Sequence, residues 1–310
     1  MSDESDALYG FRLFYPNTEF FMIYNGLRHA IATIFGCAVF LGGAHSADLY
    51  VEGEPGLPTV LPAVSGLNGK LSFEGGALDE SGFGAVNGSI SAPIGERFGI
   101  QLDGSVGLLE DEFAGGVAGH LFWRDPSYAL VGIFGSHTTT EYIDGDVSRL
   151  GLEAEYYWNR FTLRTVLGAE FMDIAPPINY DETNFFAFTD VSYYAMDDLE
   201  LSVGHRYTGE SHALALGVEY QLQQQLFSNG VALFAEGRIG EDDYTGAWAG
   251  MRMYFGENKS LMRRHREDDP TDWAADSVFS VVNGASNSSA NGEVPGFVCP
   301  TSEGFSPEVC

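Results

Sequence analysis

Between Leu67 and Phe255 one pattern recurs about twelve times: roughly ten residues in which apolar side chains alternate with polar or small ones, followed by a connection. A period of two puts alternate side chains on opposite faces of a sheet. In residues 161–171, Phe161, Leu163, Thr165, Leu167, Ala169 and Phe171 share one face, and Thr162, Arg164, Val166, Gly168 and Glu170 share the other. Residues 98–108 and 199–207 divide the same way, so one face of each strand is apolar and the other is wet. Strands are expected at 67–76, 84–94, 98–108, 114–123, 128–137, 147–158, 161–171, 184–194, 199–207, 212–221, 231–240 and 244–255. Each is near the nine to eleven residues that a tilted strand needs to cross hydrocarbon.

The connections alternate as well. Short turns such as Arg124-Asp125-Pro126-Ser127, Asn159-Arg160 and Met196-Asp197-Asp198 are interleaved with longer segments. Those hold Asp79, Glu80, Glu110, Asp111, Glu112, Glu141, Asp144, Asp146, Asp173, Asp181, Glu182, Glu210, Glu241, Asp242 and Asp243, with no Lys or Arg. The expectation is a closed antiparallel transmembrane β-barrel of about twelve strands (ten to fourteen) over residues 66–255, with short turns at one end and long acidic loops at the other. Aromatic residues flank the short turns, namely Trp123 with Tyr128, Trp158 with Phe161 and Tyr220 with Phe227, as an interfacial girdle would.

The ends read differently. Arg28 and His29 precede an apolar core over 30–44, and Ala44-His45-Ser46 ends it, as in a secretory signal peptide cut between Ser46 and Ala47. Residues 1–46 are therefore expected to be an N-terminal extension and signal, with translation starting at Met22. Pro55, Pro58 and Pro62 make 47–65 a Pro-rich periplasmic linker, because proline cannot donate to a sheet ladder. After Phe255 the alternation stops. A basic cluster (Lys259, Arg263, Arg264, His265, Arg266), an acidic run and a Ser/Asn/Gly-rich stretch make 256–310 a polar, low-complexity periplasmic tail, expected to be mostly disordered. Cys299 and Cys310 lie in that tail, and export to an oxidising compartment permits a disulfide between them.

A formal charge of −29 argues against a nucleic-acid partner, since phosphate binding requires cations. On the wet face stand Lys70, Arg164, Arg206, Arg238 and Arg252 against Glu74, Asp103, Glu153, Glu155, Glu170, Asp190, Glu200, Glu219 and Glu236. An excess of acid in a pore draws cations in. Large inward residues (Phe122, Tyr157, Phe186 and Trp248) narrow any opening. Catalysis would need a nucleophile beside a base, and the best available pair is His205 with Ser211. Asp144-Gly145-Asp146-Val147-Ser148 with Glu155 partly imitates a calcium loop but has Arg149 where glycine is required. No catalytic set, metal site or cofactor is therefore expected.

The last strand, Trp248-Ala249-Gly250-Met251-Arg252-Met253-Tyr254-Phe255, resembles the terminal assembly signal of Gram-negative outer-membrane barrels: a glycine followed by hydrophobic residues three and five positions on. The layout over residues 66–255 resembles porin-like outer-membrane barrels. The resemblance implies that Gly250, Met253 and Phe255 form the signal, that the partners are outer-membrane lipids and the barrel-assembly machinery, and that the location is the outer membrane. The expected role is a narrow, cation-preferring passive channel for small solutes. The alternatives are a closed structural or surface-interaction barrel and, third, a lipid-acting hydrolase.

Overall fold

A computed structural model describes residues 61–78, 81–142, 144–176, 180–222, 230–241 and 244–273. The signal peptide, most of the linker, and the Cys299–Cys310 pair lie outside the described residues, as does Phe227. Twelve antiparallel strands follow one another: β1 (Asn68–Leu78), β2 (Ser81–Ile94), β3 (Phe98–Leu109), β4 (Glu112–Asp125), β5 (Ala129–Thr140), β6 (Gly145–Trp158), β7 (Phe161–Ile174), β8 (Tyr180–Met196), β9 (Leu199–Thr208), β10 (Ser211–Gln221), β11 (Val231–Gly240) and β12 (Thr245–Phe255). Each pairs with its neighbours, and β1 closes on β12 from Gly69↔Phe255 to Leu78↔Gly246. Closure leaves no row of unpaired backbone groups for lipid to meet, which hydrocarbon demands of any spanning sheet.

The outer wall is apolar. Ala92, Ile100, Leu121, Ile133, Leu152, Leu167 and Ala187 are successive cross-strand partners from β2 to β8. Leu163, Val191, Val203 and Leu216 continue such a row from β7 to β10. Leu102, Leu150 and Leu152 are 62%, 63% and 61% exposed, whereas Arg124 and Glu170 are fully buried. This inverts a soluble protein, and only a hydrocarbon solvent makes it favourable. Toward the terminal end, where β1 begins and β12 ends, Tyr128 meets Tyr156 edge-on at 5.6 Å, and Phe161 lies between Trp158 (5.9 Å) and Tyr193 (4.9 Å). These exposed rings form an aromatic belt of the kind that anchors barrels at the interface.

The expected contrast of short turns and long loops is corrected. At the acidic end the connections are only two to five residues long, and the longest, residues 222–230, is at the terminal end. Glu112, Asp146, Asp173, Asp181 and Glu182 belong to the strands, which extend past the lipid and carry the acidic rim on sheet rather than on loops. Tight turns permit this. Glu110 and Asp111 both adopt positive φ (50° and 72°), as do Gly209 and Glu210 (56° and 62°), the signature of two-residue hairpins whose twist matches the strands. The imitation calcium loop is likewise corrected: Gly145–Trp158 is β6, which carries Glu155 toward the far end of the barrel.

Within the tail, residues 256–273 are structured, and residues 274–310 lie outside the described residues. After Gly256, a short helix α1 (Leu261–Glu267) turns back into the barrel, and the chain continues inward to Trp273. The last linker residues join it: Ala63 and Val64 are fully buried, and Val64 packs with Phe122, Leu130 and Tyr157.

One glycine is fixed by close approach. A Cβ on Gly250 would strike the Phe73 carbonyl oxygen and the Phe234 ring, which lies across this gap in β12. Gly250→Ala is predicted to destabilise the barrel by about 1–3 kcal/mol, the usual cost of overpacking. The readout is a lower urea midpoint in lipid vesicles with the m-value unchanged.

Candidate functional site

The inner face of a closed sheet is too confined for isolated ions, so its charges must pair or keep water. Cross-strand neighbours stand at about the right spacing for such pairs. Near the acidic end Arg149 binds Glu170, whose carboxylate also accepts from the Thr208 hydroxyl (2.6 Å) and the Gly209 amide (2.9 Å). Below it Arg206 grips Asp190 through two nitrogens at 2.7 and 3.1 Å. Gly204 makes room for this, because a Cβ there would collide with the Asp190 carboxylate. Arg164 pairs with Glu200 (2.7 Å) and donates to Ser192 and Tyr194. Arg252 pairs with Glu219, donates to Ser72 at 2.9 Å, and lies over the Phe234 ring at 4.6 Å. Arg238 bonds Glu236 at 3.0 Å and covers Trp248 at 4.7 Å.

A histidine joins the opposite wall. His120 sits between Asp103 (Nε2 to Oδ2, 2.8 Å) and Glu153 (Nδ1 to Oε2, 2.7 Å), fully enclosed beside Phe134. With both carboxylates ionised, only the imidazolium donates from both nitrogens. One oxygen of each, Asp103 Oδ1 and Glu153 Oε1, makes no protein hydrogen bond among the described residues.

Every charged residue assigned from the sequence to the wet face lies on this inner wall. Asp103, Glu153, Glu155, Glu170, Arg164, Arg206, Glu219 and Arg238 are buried, whereas Glu74, Glu236 and Arg252 are half-buried. Glu155 accepts from the Tyr157 hydroxyl at 2.7 Å, and Lys70 reaches across to Asp269 of the tail at 2.7 Å. Glu74 keeps one oxygen without a protein partner among the described residues. Sequence reasoning missed Arg124, assigned to a turn, and Arg149, which lies in the expected strand 147–158 but was not counted among the wet-face charges. Both are buried and inward; for Arg124 the missed signal was alternation continuing past the expected strand end at 123, and for Arg149 it was the inward row it shares with Glu153 and Glu155. It also missed the basic cluster's destination. Arg264 is buried, donates to Gln221 at 2.9 Å and lies over Tyr254 at 5.1 Å, while His265 faces Tyr194, Tyr254 and Glu200 at 3.0, 3.1 and 3.3 Å.

The hydrolase pairing does not form. His205 projects outward and contacts His212 at 3.0 Å, whereas Ser211 is fully buried on the inner side. Of the assembly-signal residues, Gly250 is inward beneath Phe234, and Met253 and Phe255 are on the outer row, with Phe255 44% exposed.

The bore is filled rather than wide. At the acidic end Leu78, Phe83, Leu109, Ala114, Phe234, Tyr244 and Trp248 pack together. At mid-height Phe134, Val166, Phe186, Phe188 and Trp273 do so. A cavity of about 110 Å³ remains between them, lined by Lys70, Asp190, Arg206, Glu219, Arg238, Arg252 and residues of the tail. Glu200, Glu219 and His265 present atoms within 4.8 Å of one another, a spacing a cation could use, but Arg164 and Arg252 already neutralise both carboxylates.

No family model and no curated protein matches the sequence. Among solved structures, the chain is similar to KdgM porin (11% identity, TM-score 0.45, covering 60% of this chain and 99% of that one) and NanC porin (8%, 0.45, 60% and 99%). It is also similar to the outer-membrane protein Omp33 of Acinetobacter baumannii (11%, 0.38, 61% and 98%). At such identities and TM-scores the likeness carries nothing about what this chain binds or conducts.

Replacing His120 by alanine leaves two buried carboxylates facing each other without their shared cation. Removing one partner of a buried ionic group costs about 3–5 kcal/mol, so His120→Ala is predicted to lower unfolding stability by that amount. His120→Lys, which restores a cation, should recover part of it in the same urea titration.

Proposed function

We propose that the protein is a narrow passive channel of the outer membrane for small solutes, and that it prefers cations. The observation that carries the reading is the lumen: a charged, hydrogen-bonding bore with a residual polar cavity of about 110 Å³, enclosed by a wall that carries its charges on the inside and is apolar on its outside. A barrel selected solely as a membrane anchor gains nothing from buried ions, which cost more to install than apolar side chains of equal volume. Transport would be diffusion past fixed charges, with no covalent step.

The cation preference belongs to the rim. Along the bore, arginines and carboxylates largely cancel, whereas the end defined by Glu110, Asp111, Glu112, Glu141, Asp146 and Asp173 carries these acids with no Lys or Arg in its connections. Like charges around a mouth raise the local cation concentration, an effect that weakens as salt shortens the screening length. The outer-membrane lipids are the solvent for the apolar wall, and the barrel-assembly machinery is the expected reader of Gly250, Met253 and Phe255. A closed structural barrel is the second reading, favoured by the apolar cluster around Trp248 that fills the acidic end.

The test is the reversal potential of the purified protein in a planar bilayer under a potassium chloride gradient. The wild type is expected to show a cation-selective potential. Neutralising exposed rim acids (Asp111→Asn, Glu112→Gln, Asp146→Asn and Asp173→Asn together) should move that potential toward zero, most clearly at low salt. An unchanged potential would remove the rim as the source of selectivity.

A further inference from the structure

The segment 259–273 crosses the bore instead of lining one side of it. In a closed ring of twelve strands, β3 faces β9 and β6 faces β12. The Pro270 carbonyl accepts from Gln101 of β3 (3.3 Å), and Trp273 lies under the Arg206 guanidinium of β9 (5.3 Å). The Thr271 amide donates to Glu155 of β6 (3.4 Å), and His265 meets Tyr254 of β12 (3.1 Å). Contacts on opposite walls show that these residues span the bore, with the polar cavity left beside them.

The seat is specific. The first amides of α1, which a helix cannot satisfy internally, are taken by the β8–β9 turn: Leu261 N–H donates to Asp198 Oδ1 (3.1 Å) and Met262 N–H to the Asp197 carbonyl (2.9 Å). Basic residues in its last turn complement the helix dipole. Lys259 binds Asp268 at 2.6 Å, Ser65 donates its amide to the Glu267 carbonyl at 2.9 Å, and Lys70 holds Asp269. Burial pushes the Glu267 carboxyl up, but Arg263 and Lys259 beside it more than offset this and hold it below the ordinary carboxylate range.

Most of these contacts are polar, and that sets how they behave when broken. An apolar core that opens exposes surface to water at a cost proportional to area. Lys70, Glu155, Gln101 and Asp269 would instead be rehydrated by the water that release admits, so docking and release are closer in free energy than core opening would be. The polar cavity beside the segment already provides the space into which water and solute enter.

We propose that residues 259–273 are a self-inhibitory plug: docked, they close the bore from the terminal end, and their release opens the channel. This rests on the channel reading above, and the experiment separates the two. Full-length protein is compared with the variant Asp268→Asn, Asp269→Asn, Trp273→Ala, which cuts the anchors and leaves the wall intact. Both carry a Thr271→Cys reporter in a background with the three native cysteines replaced by serine. The wild-type plug should protect the reporter from a water-soluble maleimide. The variant should label many-fold faster and conduct several-fold more in planar bilayers. A reporter labelled at the free-thiol rate in the wild-type chain overturns docking. Equal, open conductance in both proteins despite released plug overturns the gate and leaves the channel standing; silence in both despite release overturns gate and channel together. If the triple variant fails to assemble, Trp273→Ala alone carries the same comparison.

Discussion

The hydrogen bonds between β1 and β12 are the constraint on which the rest of the structure depends. A backbone amide in hydrocarbon has no water to turn to, so a sheet survives there only when its first and last strands pair. Closure of antiparallel strands fixes the even strand number, brings the start of β1 and the end of β12 to the same rim, and assigns every alternate side chain irrevocably to lipid or to lumen. A one-residue slip between β1 and β12 would turn either Lys70 and Glu74 or Arg252 toward lipid, an error each charge makes expensive.

Once charges are confined to the inside, the second constraint is how to keep them satisfied. Arginine on one strand and a carboxylate on a neighbouring strand solve it repeatedly, as in Arg149–Glu170 and Arg206–Asp190 on adjacent strands and Arg164–Glu200, which reaches across β8 from β7 to β9. Aromatic rings fill the gaps and lie under the guanidinium planes, as Phe188 does for both Arg149 and Arg206. The same grammar extends to residues 259–272: Arg264, Arg266, Asp269 and Asp272 find Gln221, Thr162, Lys70 and Ser89 on the wall, while Lys259 pairs with Asp268 within the segment. Residues 259–273 thus behave chemically as one more lumenal element, joined largely by polar contacts that water can replace.

The barrel was legible in the sequence because a period of two, held over nearly two hundred residues, is a strong signal, and all twelve strands were placed within four residues of their observed limits. Strand ends were less legible. Acidic residues such as Asp146 and Asp181 read as loop by composition, yet tight left-handed turns at Glu110-Asp111 and Gly209-Glu210 let the sheet run on beyond the lipid. The plug was the least legible part. A run such as Arg263-Arg264-His265-Arg266 reads as a solvated charge cluster, since local sequence says nothing of the carboxylates that wait inside a barrel. Two clues were present: Leu261 and Arg264 share one helical face, and Trp273 is a large aromatic ring in an otherwise polar stretch. Neither shows where the chain goes without the lumen that receives it.

The central claim is that lipid touches the outer rows and never the inner ones. Four tryptophans allow a direct test, because Trp158 is exposed on the outer wall while Trp248 and Trp273 are buried inside. Variants retaining one tryptophan each, reconstituted in vesicles containing brominated lipid, report contact through fluorescence quenching. Strong quenching of Trp158 with Trp248 and Trp273 spared is the predicted result; quenching of all three alike, or of the inner pair alone, would contradict the account.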